Sequence, residues 1–430
     1  MKFAVSGRLW HHTDFMRLWV GETVEWFGGQ ITYLALPTIA IFALKAGAFD
    51  IGVLNGLGYL AFPILGIFVG VMGDRWPRRP MMVLANIVQV VALGTIPIAF
   101  LLQKLSLYHL FAVAAVMGVS TVFFEVAYQS YLPTLVDREN LVEGNSKLTT
   151  SESTSQIAGP ALAGFLIQLT GAAMAIAADA LTTLFAALAI FSIKKPENAY
   201  GSKAERNFAR EVREGAEVIF HNPLLRSLAA TTATLNLGSS IFSAVFFLFM
   251  YNELRLSPGL AGVVLGIGSV GSLIGAVNAP KIGQKLGLGP TLAIALSLVG
   301  FGLLAIPLAM YGPSVPVLAA LWMLSGVGIT IYNITQISLR QAIVPDRLQG
   351  RMNATMRAIV WGALPVGAFI GGILGTEFGI TQTIIIGGLI SLLPVLLIMI
   401  SPIGSLHKIP SNLETTKVAN QSTAPRTFSH

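Results

Sequence analysis

Uncharged runs of bilayer length follow one another along this chain, with only short charged breaks between them. They are Trp26–Leu44, Ile51–Gly73, Pro80–Gln103, Leu105–Phe124, Ser153–Ala178 and Ala180–Ile193, with Asp179 between the last two. After a charged stretch come Ser227–Asn252, Leu256–Pro280, Leu286–Leu339, Ala358–Thr376 and Phe378–Leu406. About 20 apolar residues carry a helix across the hydrocarbon core, and a helix satisfies its own backbone there. Leu286–Leu339 is long enough for two crossings, and Tyr311-Gly312-Pro313-Ser314 supplies the dividing turn. Twelve membrane helices are predicted, and an even number puts both termini on one side.

Composition supports an all-α integral membrane protein. Charged residues make up 11% of the chain, against about 25% in ordinary soluble proteins. Hydrophobic residues are 54% and the mean hydropathy is +0.73. Cysteine is absent, which excludes a disulfide framework, a thiolate metal site and a cysteine nucleophile. The six histidines form no spaced metal motif, and His11-His12 lies in a polar leader. No Asp/His catalytic cluster or nucleotide-binding loop is present, so no catalytic residue, metal or cofactor is expected. Residues 1–15 are polar, so a cleavable signal peptide is not expected.

The basic residues set an orientation. On the side of the termini the loops and tails carry 24 Lys and Arg; the opposite side carries only Lys45, Lys104 and Arg255. The positive-inside rule then places both termini in the cytoplasm of a bacterial inner membrane. The net charge of +7 is scattered over short loops, so it does not form a face for nucleic acid.

Lys194–Pro223 is the longest internal hydrophilic segment and divides the spans six and six. The predicted parts are an N-terminal six-helix bundle over 1–193, a cytoplasmic linker over 194–223, a C-terminal six-helix bundle over 224–406 and a disordered tail over 407–430. Phe208, Val212 and Ile219 recur at helical spacing in the linker, which predicts an amphipathic helix on the cytoplasmic face. The halves repeat weakly. Pro133, Asn145, Gly159 and Gly164 match Pro345, Asn353, Gly367 and Gly372, the last three pairs at one offset. Glycines at close to four-residue spacing (Gly52, Gly56, Gly66 and Gly70; Gly262, Gly266, Gly271 and Gly275; Gly367, Gly371 and Gly375) are expected to line one face of spans 2, 8 and 11.

Between spans 2 and 3, Gly70-Val71-Met72-Gly73-Asp74-Arg75-Trp76-Pro77-Arg78-Arg79 resembles the G-x-x-x-D-R-x-G-x-R-R signature of the major facilitator superfamily, with Pro77 at the usual glycine. The resemblance implies two pseudo-symmetric six-helix bundles and a cytoplasmic gate. In that gate Asp74, with Gly70, Arg75, Arg78 and Arg79, meets the start of span 11 near Arg351 and Arg357. Ser155-Gln156-Ile157-Ala158-Gly159-Pro160-Ala161-Leu162-Ala163-Gly164 resembles the G-x-x-x-G-P-x-x-G-G signature of drug and proton antiporters. Its Gly159, Pro160 and Gly164 imply a bend associated with export. Asp14–Gly21, Phe124–Pro133 and Leu141–Leu148 are similar to a bacterial branch that includes enterobactin exporters and macrolide efflux proteins.

The implied activity is export of a small amphipathic organic molecule (a drug, macrolide-like compound, siderophore or other metabolite) by alternating access in exchange for protons. Such a carrier needs a small-molecule substrate, a proton and the lipid bilayer, and is expected to act as a monomer. An importer of a small nutrient on the same fold and a non-transporting membrane sensor are the alternatives. Many proton antiporters carry an arginine in span 4 where this chain has Ala114, which implies either a different coupling route or a carrier without proton coupling. Candidate proton carriers are the acids inside spans: Glu22, Glu25, Glu125 and Asp179. Spans 1, 4, 7 and 10 line the cavity in this superfamily. They offer Gln30, Tyr33, Asn236, Phe246, Asn333 and Gln336, a hydrophobic wall with hydrogen-bonding points and no basic group at mid-depth.

Overall fold

The computed structural model describes residues 8–73, 76–197 and 208–407. Asp74 and Arg75 of the loop signature and the tail from residue 408 lie outside the described residues. Among the described residues every regular element is helical. The order is α1 (Thr13–Phe42), α2 (Ala48–Gly73), α3 (Arg78–Leu101), α4 (Leu107–Leu135), α5 (Leu141–Thr170), α6 (Ala172–Phe191) and α7 (Phe208–His221). Then come α8 (Pro223–Leu248), α9 (Pro258–Leu286), α10 (Leu288–Leu304), α11 (Ser314–Ile343), α12 (Asp346–Glu377) and α13 (Ile380–Ile400). A π-helical turn, Phe249–Glu253, extends α8.

Ten of these helices are long and apolar enough to cross a bilayer. The other two spans, α1 and α5, are 30 residues each. Their charges crowd the N-terminal part, and beyond Glu25 and Glu152 each runs uncharged for one bilayer thickness. Twelve spans therefore stand as expected, with α7 as the extra helix between the sixth and seventh.

Helix boundaries differ from the uncharged runs for a physical reason. An uncharged run marks the part of a helix in hydrocarbon, while the helix itself continues into the polar zone. So α1 begins at Thr13 rather than Trp26, α4 continues to Leu135, and α5 begins at Leu141. Asp179 does not divide spans 5 and 6. Gly171 does, at φ 81°, a conformation that an L-residue resists, and Asp179 falls within α6.

The repeat is visible in the backbone. Gly171 and Gly379 (φ 94°) make the same tight turn between the last two helices of each half, at the offset that relates Gly159 to Gly367. Lys45 and Arg255 both take left-handed conformations, φ 57° and 52°. After each, an amide reaches back six residues at 2.9 Å, from Ala46 to the Ala40 carbonyl and from Leu256 to the Met250 carbonyl. Packing repeats as well. In the first half α1 lies against α5 and α6, α3 against α4 and α6, and α2 against α4; α8 to α13 reproduce these pairs.

The halves meet chiefly along α2 with α12 and α5 with α9. Glycines permit the approach near the ends that bear Lys45 and Arg255, here termed the outer ends. A Cβ on Gly52 would lie 2.6 Å from the Ala368 carbonyl oxygen, and one on Gly266 would lie 2.7 Å from that of Ile157. Gly164 and Gly262 face each other similarly. The expected single glycine faces are corrected. Gly271 and Gly275 pack on α11, and Gly367 and Gly371 pack on α8, all inside the second half. The step from Gly266 to Gly271 is five residues, which turns the later pair to another side of α9. Around Gly66, near the basic face, a Cβ would meet nothing within 4 Å.

Helix α7 packs on α12 and α8, with Ile219 fully buried and a Glu214–Arg351 ion pair to α12. The side chains of Phe208 and Val212 lie outside the described residues.

Candidate functional site

Because the outer ends are closed and the other ends splay, a cavity of about 900 Å³ opens between the halves toward the basic face. Its walls are the basic-side portions of α2, α4, α8, α11 and α12. Along α11 it extends from Ile329 to Gln341, about 18 Å at 1.5 Å per residue.

Asn236, Asn333 and Gln336 line it. Asn236 also donates to the Val360 carbonyl at 2.9 Å, which ties α8 to α12. Gln336 Oε1 is buried with no hydrogen-bond partner among the described residues. The other three predicted wall residues lie elsewhere. Gln30 packs over Gly159 where α1 crosses α5. Tyr33, 49% exposed, meets Phe247 edge-on at 5.8 Å near the outer closure. Phe246 is 2% exposed and stacks on Trp322 at 4.7 Å inside the second half. Sequence pattern assigns an aromatic to a helix, and only packing assigns it to a face.

Two wall features were not read from the sequence. Phe62 of α2 and Trp361 of α12 touch across the halves, with ring centroids 4.3 Å apart, in the cavity wall. Arg357 lies 5.3 Å over Trp361, and Arg340, bonded to Asn353 Oδ1 at 3.2 Å, is its neighbour in the wall. The second half thus presents two guanidinium groups to the cavity, and the first half presents Glu125 with its partner Gln129 at 3.1 Å. The uncharged run of span 11 starts at Ala358, just past Arg357, which puts the arginine at the expected start of the span. Helix α12 begins eleven residues earlier, which carries Arg357 well inside it. Arg351 is likewise inside α12 and is held by Glu214, rather than flanking the start of the helix.

The acids of the first half form a connected set. Glu22 is 1% exposed, and its Oε1 has no partner among the described residues. Glu25 and Glu125 are its electrostatic neighbours, and Asp179 is that of Glu25. Asn86 reaches Glu25 at 3.4 Å. Asp179 accepts from Thr32 of α1 and from Thr182, beside Gly28, where a Cβ would strike both the Asp179 and Thr182 side chains.

In the loop signature, Arg78 and Arg79 are bound within their own half. Their backbone N–H groups donate to the two carboxylate oxygens of Glu197, each at 2.7 Å. Arg78 also donates to the Ser130 carbonyl of α4 at 2.8 Å. Arg79 donates to the Phe191 carbonyl and lies over its ring at 5.5 Å. Pro77, at the N-cap of α3, has no side-chain acceptor, and Glu197 provides the missing cap. In the span-5 signature, α5 runs unbroken through Pro160. The Pro160 carbonyl faces Gly262, and Gly164 faces Pro258 and Gly262.

This architecture matches known membrane carriers. Macrolide efflux protein A of Streptococcus pyogenes is 23% identical over 391 residues, 87% of this chain and 92% of that one. Multidrug efflux pump Tap of Mycolicibacterium fortuitum is 22% identical over 365 residues, covering 83% and 88%. A bacterial homologue of the iron transporter ferroportin, in its inward-facing state, superposes with a TM-score of 0.71 at 18% identity, over 90% of this chain and 98% of that one. The model of the Major Facilitator Superfamily matches residues 18–309 and 228–427, nearly the full length of the chain. With twelve spans in two repeated halves around a central cavity, the chain belongs to the Major Facilitator Superfamily and is a multi-pass membrane transporter.

Proposed function

We propose that this transporter exports an amphipathic organic molecule from the cytoplasm in exchange for protons. The observation that carries the reading is the two-sided cavity. Its wall is mostly apolar, with amides at Asn236, Asn333 and Gln336, and it adjoins a set of first-half carboxylates of which Glu22 is buried and incompletely bonded. The relatives named for macrolide and multidrug efflux support export and a bulky, weakly polar substrate. The 24-to-3 distribution of Lys and Arg supports a cytoplasmic basic face, and with that orientation this conformation is inward-open. The moving bodies are residues 1–193 and 224–406, joined by 194–223, and Asp74 of the loop signature is assigned the latch that clamps the basic face when it closes.

Glu22, Glu25 and Glu125 are the assigned proton carriers. Glu22 is the buried one, and a buried carboxylate without a cation is unstable as an anion, which taking up a proton relieves. Asp179, bonded to two threonines, ties α1 to α6 instead. Everted vesicles with an imposed pH gradient test the assignment, using a macrolide as substrate. Substitution of Glu22, Glu25 or Glu125 by Gln is expected to cut gradient-driven uptake more than tenfold in at least one case, with binding within twofold of wild type. Full uptake in all three would remove the carboxylates from coupling.

A further inference from the structure

A second, smaller pocket of about 360 Å³ lies at mid-depth among α8, α9, α10 and α11, with Tyr59 of α2 and Leu364 of α12 completing its lining. Ile329 borders both it and the main cavity, so the two are neighbours along one wall. Its size falls in the lower part of the range for small-molecule sites, roughly 300–1,000 Å³. Six serines line it: Ser239, Ser240, Ser243, Ser269, Ser272 and Ser325. No carboxylate, ammonium, guanidinium or imidazole does.

The hydrogen bonds decide what such a pocket accepts. Ser240 donates to the Leu364 carbonyl at 2.6 Å, and Ser243 to that of Ser240 at 3.1 Å. Ser269 donates to Leu265 at 3.2 Å, and Ser325 to Leu321 at 3.1 Å. A hydroxyl has one proton, so what these four serines have left to offer a ligand is acceptor capacity. The hydroxyls of Ser239 and Ser272 and the indole N–H of Trp322 form no hydrogen bond among the described residues. The pyrrole edge of Trp322 lies over Gly268, where any Cβ would strike it, and its ring is fixed by stacking on Phe246.

A ligand group that both gives and receives hydrogen bonds fits this set. A cation would meet acceptors but no counter-charge, and would give up its hydration without a partner ion. An alkyl group would leave the free hydroxyls and the indole N–H unpaired. We propose that this pocket is a subsite for a neutral, hydroxyl-rich group of the transported molecule, of the size of a sugar ring. The proposal rests on the export reading only for the identity of the molecule that bears the group.

The chain has no native cysteine, so Ser272→Cys introduces a single thiol into the pocket. Purified protein in nanodiscs is treated with a small methanethiosulfonate, alone or with a glycosylated macrolide or the same macrolide stripped to its aglycone. Export of both compounds is measured separately in everted vesicles. The glycosylated compound is expected to slow labelling at concentrations at least fivefold below those the aglycone needs. Trp322→Phe, added to the same background, should remove that advantage. Equal protection by both compounds, or no protection by a compound that is exported, overturns the subsite and leaves export standing. Sugar-selective protection without export upholds the subsite and overturns export of that compound. Neither protection nor export overturns both.

Discussion

The hydroxyls of Thr38 and Tyr251 lie 2.8 Å apart across the outer ends of the two halves. Thr38 already donates its proton to the Leu34 carbonyl at 2.6 Å, so Tyr251 is the donor between them. Tyr251 belongs to the π-helical turn that extends α8, and Phe42 packs against its ring at 5.0 Å. A buried hydrogen bond and an aromatic contact thus hold the outer closure on one side of the substrate path.

Tyr251→Phe keeps the ring and removes the hydrogen bond. A neutral buried bond contributes about 1 kcal/mol, which is about a fivefold change in the balance between closed and open outer ends. Spin labels on cysteines at Lys45 and Arg255 report that balance by electron–electron distance measurement. The variant is expected to add a longer-distance population to the single short one. An unchanged distribution would mean that packing alone closes the outer ends.

Glycines at the outer seams give a second prediction. Gly164→Leu places a side chain against Pro258 and Gly262 and should keep the outer ends apart, with transport lost and the same label pair lengthened. Gly94→Ala, on α3 away from the cavity, adds its methyl group where nothing lies within 4 Å, and should transport normally. Equal effects from the two would show that general helix packing, rather than the seam, is what matters.

The spans were legible because hydrocarbon tolerates so little charge. The twelve crossings and the partition into repeated halves follow directly from where charges are absent. Helix ends were not legible, since Thr13–Glu25 and Leu141–Glu152 are helical in spite of their charges. Side-chain facing was legible only in part. Asn333 and Gln336 reach the cavity, whereas Phe246 turns to Trp322 because an aromatic gains more from a stacked neighbour than from an open cleft. The role of Glu197 was hidden by distance along the chain. It lies more than a hundred residues from the helix that it caps, and no local pattern marks such a pairing.

Glu197→Ala should destabilise the first half by roughly 1–2 kcal/mol, as loss of a helix N-cap does, because two amides at the start of α3 lose their acceptor. Thermal unfolding in nanodiscs followed by tryptophan fluorescence is the measurement. Pro77→Ser supplies a local cap and is expected to restore part of the loss. Failure of any rescue would place the effect in the other contacts of Glu197.

Asp14 sets a pH dependence. It lies in the first turn of α1, ahead of the uncharged part. Its carboxylate accepts from the Lys194 N–H at 3.1 Å, the Lys195 N–H at 2.9 Å and the Arg17 guanidinium at 2.8 Å. Burial pushes its pKa up, but these donors together outweigh burial and hold it below the ordinary carboxylate value. A lowered folded pKa stabilises the protein above the unfolded value of about 3.9 and the gain is lost as pH falls through the folded one. Asp14→Asn should therefore melt earlier than wild type at pH 7, and the gap should narrow below about pH 4. A gap independent of pH would assign the effect to shape rather than charge.

At the outer ends the halves touch backbone to backbone, through Gly52 with Ala368 and Gly372 and through Gly164 with Gly262. Surfaces without side chains have no rotamers to exchange. When the halves part there, each bundle keeps its interior as it was, and what is lost along the two short seams is dispersion, beside the single Thr38–Tyr251 hydrogen bond. The resistance to motion then grows with seam length and is indifferent to what the bundles contain. Substitutions deep inside either half are free to alter what is carried while leaving the rate of rocking as it was.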